Sequence, residues 1–184
     1  MKIRSALVLC LLASLLATPV LAQAAAEQPQ VTFKATELVP GLHMLEGVGG
    51  FGGGNVGLLT GDDGVVLVDD SFPPFTETLL AAVAEVASGP VDFVVNTHVH
   101  GDHMGGNEIL GKAGAKIVAH DNVRGRLVAD GISTGNGSIP APSDALPVLT
   151  FADAVSFHLN GHHAYVFHVA HAHTDGDAVI HFRD

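Results

Sequence analysis

The residues best suited to chemistry stand together in the run His98-Val99-His100-Gly101-Asp102-His103. Four of these six side chains can ligate a metal ion. His98 and His100 are two positions apart, directly after the apolar run 91–96. In extended backbone that spacing puts both imidazoles on the same side of the chain. Gly101 then permits a sharp turn, so Asp102 and His103 can address a neighbouring position. One pair can hold one cation and the second pair another. Histidine nitrogens and a carboxylate oxygen are what zinc takes, at about 2.0–2.2 Å. Such groups are costly at a buried strand end unless something pairs with them, which argues for ligands rather than chance placement.

A second segment has the same character. His171 and His173, in Ala170-His171-Ala172-His173-Thr174-Asp175-Gly176-Asp177, repeat the two-residue spacing after the apolar run 165–169. Either histidine could give the first metal its third nitrogen. The only cysteine, Cys10, lies near the amino terminus, so the rest of the chain has no thiolate for a metal, a nucleophile or a disulfide.

The elements around these segments set where they lie. Residues 42–46 alternate in polarity and predict a strand. A glycine-rich turn follows over 47–54, with Phe51 as its one large side chain. Residues 56–60 and 65–69 predict two strands joined by the hairpin signal Gly61-Asp62-Asp63-Gly64. Phe75, Leu79, Leu80, Val83 and Val86 recur at helical spacing over 75–87, before the stop Ser88-Gly89-Pro90. The strand 91–96 runs straight into His98. Further on, the pattern predicts short helices over 107–112 and 121–129 and strands over 116–119, 155–159, 165–169 and 178–182. Residues 131–147, rich in Gly, Ser, Pro and Asn, predict a long mobile loop or the seam between two halves. Strands, then alternating strand and helix, then strands again imply an α/β sandwich with sheets inside and helices outside.

Composition bounds the rest. The 184 residues are 47% hydrophobic and 15% charged, which suits one folded domain. Eight Lys and Arg against 19 Asp and Glu give a formal charge of −11, which argues against nucleic acid as a partner. Lys2 and Arg4, an apolar run over 6–17 and the small residues near Ala22 predict a secretory signal over 1–22. It is too short for a permanent anchor. Cleavage there would export the protein, to the periplasm or beyond, with a flexible start over 23–35 and a folded domain over 36–184.

The His-x-His-x-Asp-His run resembles the signature of the metallo-β-lactamase superfamily. Phe51-Gly52-Gly53-Gly54-Asn55 and Val66-Leu67-Val68-Asp69 are similar to that family's approach to its site, and His173-Thr174-Asp175-Gly176-Asp177 is similar to its second histidine motif. The resemblance covers roughly residues 36–184. It implies a four-layer αββα sandwich with a dinuclear zinc centre at one edge. It assigns His98, His100 and His173 to one zinc and Asp102 and His103 to the other, and so selects His173 over His171. It makes Asp69 a residue that orients the ligands. Family members continue past the strand that here ends at Phe182, supplying a metal-bridging Asp or Cys and one last His. No residue of this chain is left for either role, so the expectation is a C-terminally truncated member with an incomplete sandwich.

The activity these features lead one to expect is hydrolysis by metal-activated water, with Asp102 as the catalytic carboxylate. Amide, ester, thioester and lactone bonds in a small molecule all suit such a centre. Two other readings stand beside it. One is an exported metal-binding protein without catalysis, in which His158, His162, His163, His168, His171 and His181 hold or buffer metal. The other is an iron-dependent redox protein on the same fold. The sequence leaves the oligomeric state open.

Overall fold

The computed structural model describes residues 31–134 and 137–183. The expected signal over 1–22 and most of the expected loose segment lie outside the described residues. The ordered fold begins earlier than residue 36. Its first strand, β1 (Thr32–Val39), starts at Thr32, with Val31 and Phe33 buried beside it. That correction has a simple cause: β1 pairs along its length with β2 (Leu42–Val48), which satisfies its backbone.

β3 (Asn55–Leu59) and β4 (Val66–Val68) follow, antiparallel and joined at the expected hairpin. Helix α1 (Thr76–Val86) comes next, then β5 (Phe93–Val95). The short helices α2 (Gly101–Met104) and α3 (Asn107–Lys112) precede β6 (Lys116–His120) and α4 (Asp121–Ala129). The predicted loop over 131–147 contains a small hairpin, β7 (Ile132–Thr134) with β8 (Gly137–Ile139), and a 3-10 turn over Ser143–Ala145. After it come β9 (Leu149–Phe151), β10 (Ala154–Leu159), β11 (His162–His168) and β12 (Ala178–Phe182).

Seven strands form one sheet in the order β1-β2-β3-β4-β5-β6-β9. Pairing is antiparallel as far as β4 and parallel from β4 to β9. Strands β10, β11 and β12 form a second, antiparallel sheet. The centre of the large sheet is buried on both faces, which is why its central strands read as unbroken apolar runs rather than alternations. Leu58, Leu67, Val94 and Ile117 join one core with Leu79 and Val83 of α1 and Leu110 of α3. Their sequence neighbours Leu59, Val66, Val95 and Val118 join a second core with Val166, Ala178 and Phe157 of the smaller sheet. Each fully buried Leu or Ile contributes about 1.5–3 kcal/mol.

The architecture is thus the mixed α/β sandwich expected, with helices, large sheet and small sheet as three successive layers among the described residues. The hairpin turns of the two sheets interlock. Asn160, at φ 54° before Gly161, accepts from Asp63 N–H at 2.9 Å and donates to Gly64 O at 2.8 Å. This contact fixes the far rim of the sandwich. The opposite rim, where β4 and β5 end and β12 begins, carries the histidines.

Candidate metal centre

β4 ends just before Asp69, and β5 ends just before Asn96 and Thr97. Because the two strands are parallel neighbours, both exits open on the same rim. His98 and His100 follow β5 in a bent segment over 97–100, with His100 itself extended at φ −75°, ψ 149°. Gly101 starts α2, so the sharp turn expected there takes the form of a single helical turn carrying Asp102 and His103. Met104, 1% exposed, anchors that turn in a third small core with Ala119, Val123 and Leu127.

The fourth histidine arrives from the second sheet. His173 lies in the connection between β11 and β12, and its Nε2 stands 3.0 Å from His100 Nδ1. Ligand atoms of His98, His100 and His173 all lie within 4.8 Å of one another. Among the described residues no other group of three or more His, Cys, Asp or Glu side chains converges in this way. The ring centroids of His98 lie 5.0 Å from those of both His100 and His173. Nitrogens around a tetrahedral zinc are separated by about 3.3 Å, given bonds of about 2.0–2.1 Å. Small ring rotations close the difference, so these three donors suit zinc.

Asp102 and His103 sit beside that trio without belonging to it. The His103 ring is 4.0 Å from the His98 ring, and its Nε2 is 3.4 Å from Asp102 Oδ2. On the other side, His103 Nδ1 lies 2.7 Å from Asp69 Oδ2. Since a carboxylate only accepts, Nδ1 donates, and in the neutral ring Nε2 keeps its lone pair on the Asp102 side. Burial of the ring pushes the His103 pKa down, but the hydrogen bond and charge of Asp69, with the charge of Asp102, outweigh it and raise it above the ordinary value. His98 moves the other way. Burial, then the neighbouring His103, lower its pKa, against an opposing pull from Asp69, and favour the neutral imidazole a metal needs.

Asp69 takes φ 64°, a left-handed conformation that few residues other than glycine, Asn and Asp visit readily. Its carboxylate is held by Thr97 N–H at 2.7 Å and by the Thr97 hydroxyl at 2.8 Å, besides His103. Beneath it lies a buried polar layer. Asp70 accepts from Gly106 N–H at 2.8 Å, Asn96 donates to His103 O at 3.1 Å, and Asn107 donates to Asn96 Oδ1 at 2.9 Å. Burial raises the Asp70 pKa well above the usual carboxylate range, helped by the nearby charge of Asp69 and opposed by the Gly106 N–H.

The loop carrying His173 is fastened at several points. Asp177 accepts from the N–H groups of His173 and Thr174 and from the Thr174 hydroxyl. Burial pushes the Asp177 pKa up, but these bonds outweigh it and hold the carboxyl below its usual value. Arg126 of α4 forks onto Asp175 at 2.6 and 3.1 Å, and Asn122 donates to Asp175 O at 2.7 Å. The glycine-rich turn closes the site from the first sheet. A Cβ on Gly53, at φ 90°, would stand 2.8 Å from Asp102 O, so only glycine lets that backbone pass. Ser71 donates to Gly52 O and pins the same turn.

The sequence reading missed Thr97, the polar layer of Asp70, Asn96 and Asn107, and the fastening by Asp177. Asp177 was visible in the second motif, though without a role; a Thr before a histidine carries no signal of its own. The remaining histidines serve elsewhere. His158 and His163 stack across the β10–β11 hairpin at 4.4 Å, His168 stacks on His120 at 3.9 Å, and His162 Nε2 lies 2.9 Å from Pro40 O.

Comparison with known proteins places this site in context. Residues 49–184 match the family model described as the metallo-beta-lactamase superfamily. The chain belongs to the metallo-beta-lactamase superfamily. Over 90 residues it is 40% identical to the human metallo-beta-lactamase domain-containing protein 1, a match that covers 47% of this chain and 34% of the human one. Over 69 residues it is 36% identical to a hydroxyacylglutathione hydrolase of a Polaromonas strain, covering 36% of this chain and 26% of that one. In structure it resembles BJP-1, a subclass B3 metallo-beta-lactamase of Bradyrhizobium japonicum. The TM-score is 0.67 at 19% identity, over 85% of this chain and 59% of the other. The chain therefore spans less than two thirds of each of these superfamily relatives. Members of the superfamily are mostly metal-dependent hydrolases, and the cluster of His98, His100 and His173 could bind a metal. No helix among the described residues is long and apolar enough to cross a membrane.

Proposed function

We propose that this chain forms the metal-binding portion of an exported zinc hydrolase that cleaves an amide, ester, thioester or lactone bond in a small molecule. The observation that carries the reading is the convergence of His98, His100 and His173 from two different sheets. His98 and His100 lie just after β5 and His173 in the β11–β12 connection, 73 residues further along the chain than His100.

In this reading, His98, His100 and His173 hold the first zinc, and Asp102 and His103 contribute to a second. Bound zinc supplies a positive centre that makes solvent nucleophilic near neutral pH and stabilises negative charge on a carbonyl oxygen. Asp102 presents its carboxylate beside that position and orients the attacking water. Asp69 fixes the ring of His103 through the 2.7 Å contact. The glycine-rich turn packs closely on the Asp102 backbone and holds that residue in place. Residues 1–22 act as the export signal, and the folded domain follows.

Elemental analysis of the purified chain, paired with turnover of nitrocefin, a lactone and a thioester, tests this. Zinc at the histidine centre with turnover of at least one of these substrates supports it. One bound iron, or metal without turnover of any of the three, overturns the hydrolase reading in favour of a redox or metal-holding protein.

A further inference from the structure

Thr97 stands at the one point where the two groups of ligands meet, and its atoms are fully committed. Its backbone N–H donates to Asp69 Oδ1 at 2.7 Å and its hydroxyl to Asp69 Oδ2 at 2.8 Å. Its carbonyl accepts from Ala178 N–H at 2.8 Å, which ties the start of β12, and so the base of the His173 loop, to the root of the His98 segment. The hydroxyl oxygen has a further contact, 3.0 Å from His98 Nδ1.

The proton count decides what that last contact is. A threonine hydroxyl has one hydrogen and two lone pairs. The hydrogen is spent on Asp69 Oδ2, because a carboxylate oxygen can only accept. At 3.0 Å the oxygen therefore accepts from His98, and the Nδ1 of His98 must carry the hydrogen. That leaves Nε2 as the lone pair His98 turns to its metal. His103 is set in the same way one step along, since its Nδ1 donates to the same oxygen, Asp69 Oδ2. One hydroxyl and one carboxylate thus select the nitrogen offered by a ligand of each group. The two rings set in this way are neighbours, their centroids 4.0 Å apart.

We infer that Thr97 is a positioning residue whose hydroxyl fixes His98 in the Nδ1–H tautomer and, through Asp69, couples the His98 group of ligands to His103. The inference rests on the metal-centre reading above and concerns metal binding, not turnover. A hydroxyl-free residue of the same shape leaves the Nδ1–H of His98 without an acceptor and removes one of three donors from Asp69. The ring is then free to rotate or to exchange tautomers, and affinity falls by the tenfold to hundredfold typical of losing such a partner, about 10–100-fold.

The test is calorimetric titration of the metal-free full chain with Zn2+, for the parent, Thr97→Val and Thr97→Ser. The expected result is a Kd about 10–100-fold weaker in Thr97→Val, with Thr97→Ser close to the parent because serine restores the hydroxyl. A Thr97→Val protein that binds Zn2+ as tightly as the parent overturns the inference, and so does a Thr97→Ser protein as weak as Thr97→Val. If the parent itself takes up no Zn2+, the metal-centre reading fails and the inference falls with it. Should Thr97→Val fail to fold, long-range proton–nitrogen spectra of the zinc-loaded parent decide: a His98 resonance with hydrogen on Nδ1 supports the inference, and hydrogen on Nε2 overturns it.

Discussion

His103 Nδ1 and Asp69 Oδ2 face each other across 2.7 Å, though 34 residues separate them in the chain. The contact joins the end of β4 to the helical turn that follows β5, and it is the reason His103 holds one fixed orientation. In Asp69→Asn, one oxygen becomes an amide nitrogen that can only donate, and at the Oδ2 position it meets a ring nitrogen and a hydroxyl that also donate. The expected result is a loss of about 10–100-fold in Zn2+ affinity, with the circular dichroism of the fold retained. Titration calorimetry measures the first and far-ultraviolet spectra the second.

Asp102 makes a different prediction. It is a quarter exposed and its carboxylate meets only His103 among the contacts described. Asp102→Asn is therefore expected to leave the unfolding free energy within about 0.5 kcal/mol of the parent, while turnover falls by at least about 100-fold. Thermal unfolding and the substrate assays separate the two effects. An equal loss of stability and activity would remove Asp102 from the catalytic role.

The pH dependence of stability is expected to come from Asp70. Burial raises its folded-state pKa above the unfolded value. A carboxyl shifted that way contributes stability that is fully present below the unfolded pKa and is lost as pH rises toward the folded one. Asp70→Asn keeps an oxygen for Gly106 N–H but cannot ionise. The variant should therefore gain on the parent as pH is raised from about 4. Chemical denaturation of both proteins in metal-free buffer from acid to neutral pH measures this; a difference that does not change with pH would contradict it.

Gly53 tests the approach to the site. A methyl group there meets Asp102 O at 2.8 Å, on a backbone at φ 90° that alanine tolerates poorly. Gly53→Ala is expected to cost about 1–3 kcal/mol and to reduce turnover, because Asp102 must shift to admit it. Urea unfolding and steady-state assays read both effects.

Much of this was legible in the sequence where local chemistry is strong. The turn Gly61-Asp62-Asp63-Gly64 announced the β3–β4 hairpin. Leu79 and Val83 marked the buried side of α1. β1 escaped because it is an edge strand with Leu38 and Val39 exposed, which blurs its alternation. The hairpin of β7 and β8 escaped because Gly, Ser and Asn give no period; Ile132 packs there against the small core under α4, a contact that sequence spacing does not record. β9 is only three residues long and gains its place by pairing with β6. At the site, the motif spacing put His98, His100, Asp102 and His103 on one rim. That His173 rather than His171 reaches them depended on the resemblance, since both share the same spacing. Its physical basis is the fastening of residues 173–177 by Asp177, while His171, in the left-handed region at φ 57°, is not among the converging ligand atoms.

A metal centre on this rim requires that His98, His100 and His173 share one cation. Anomalous diffraction from crystals of the chain grown with Zn2+, recorded on both sides of the zinc edge, measures this directly. The predicted result is a peak about 2.0–2.1 Å from one nitrogen of each of the three rings, lost in His173→Ala. A peak on the stacked pair His158 and His163, with none among the three, would contradict it.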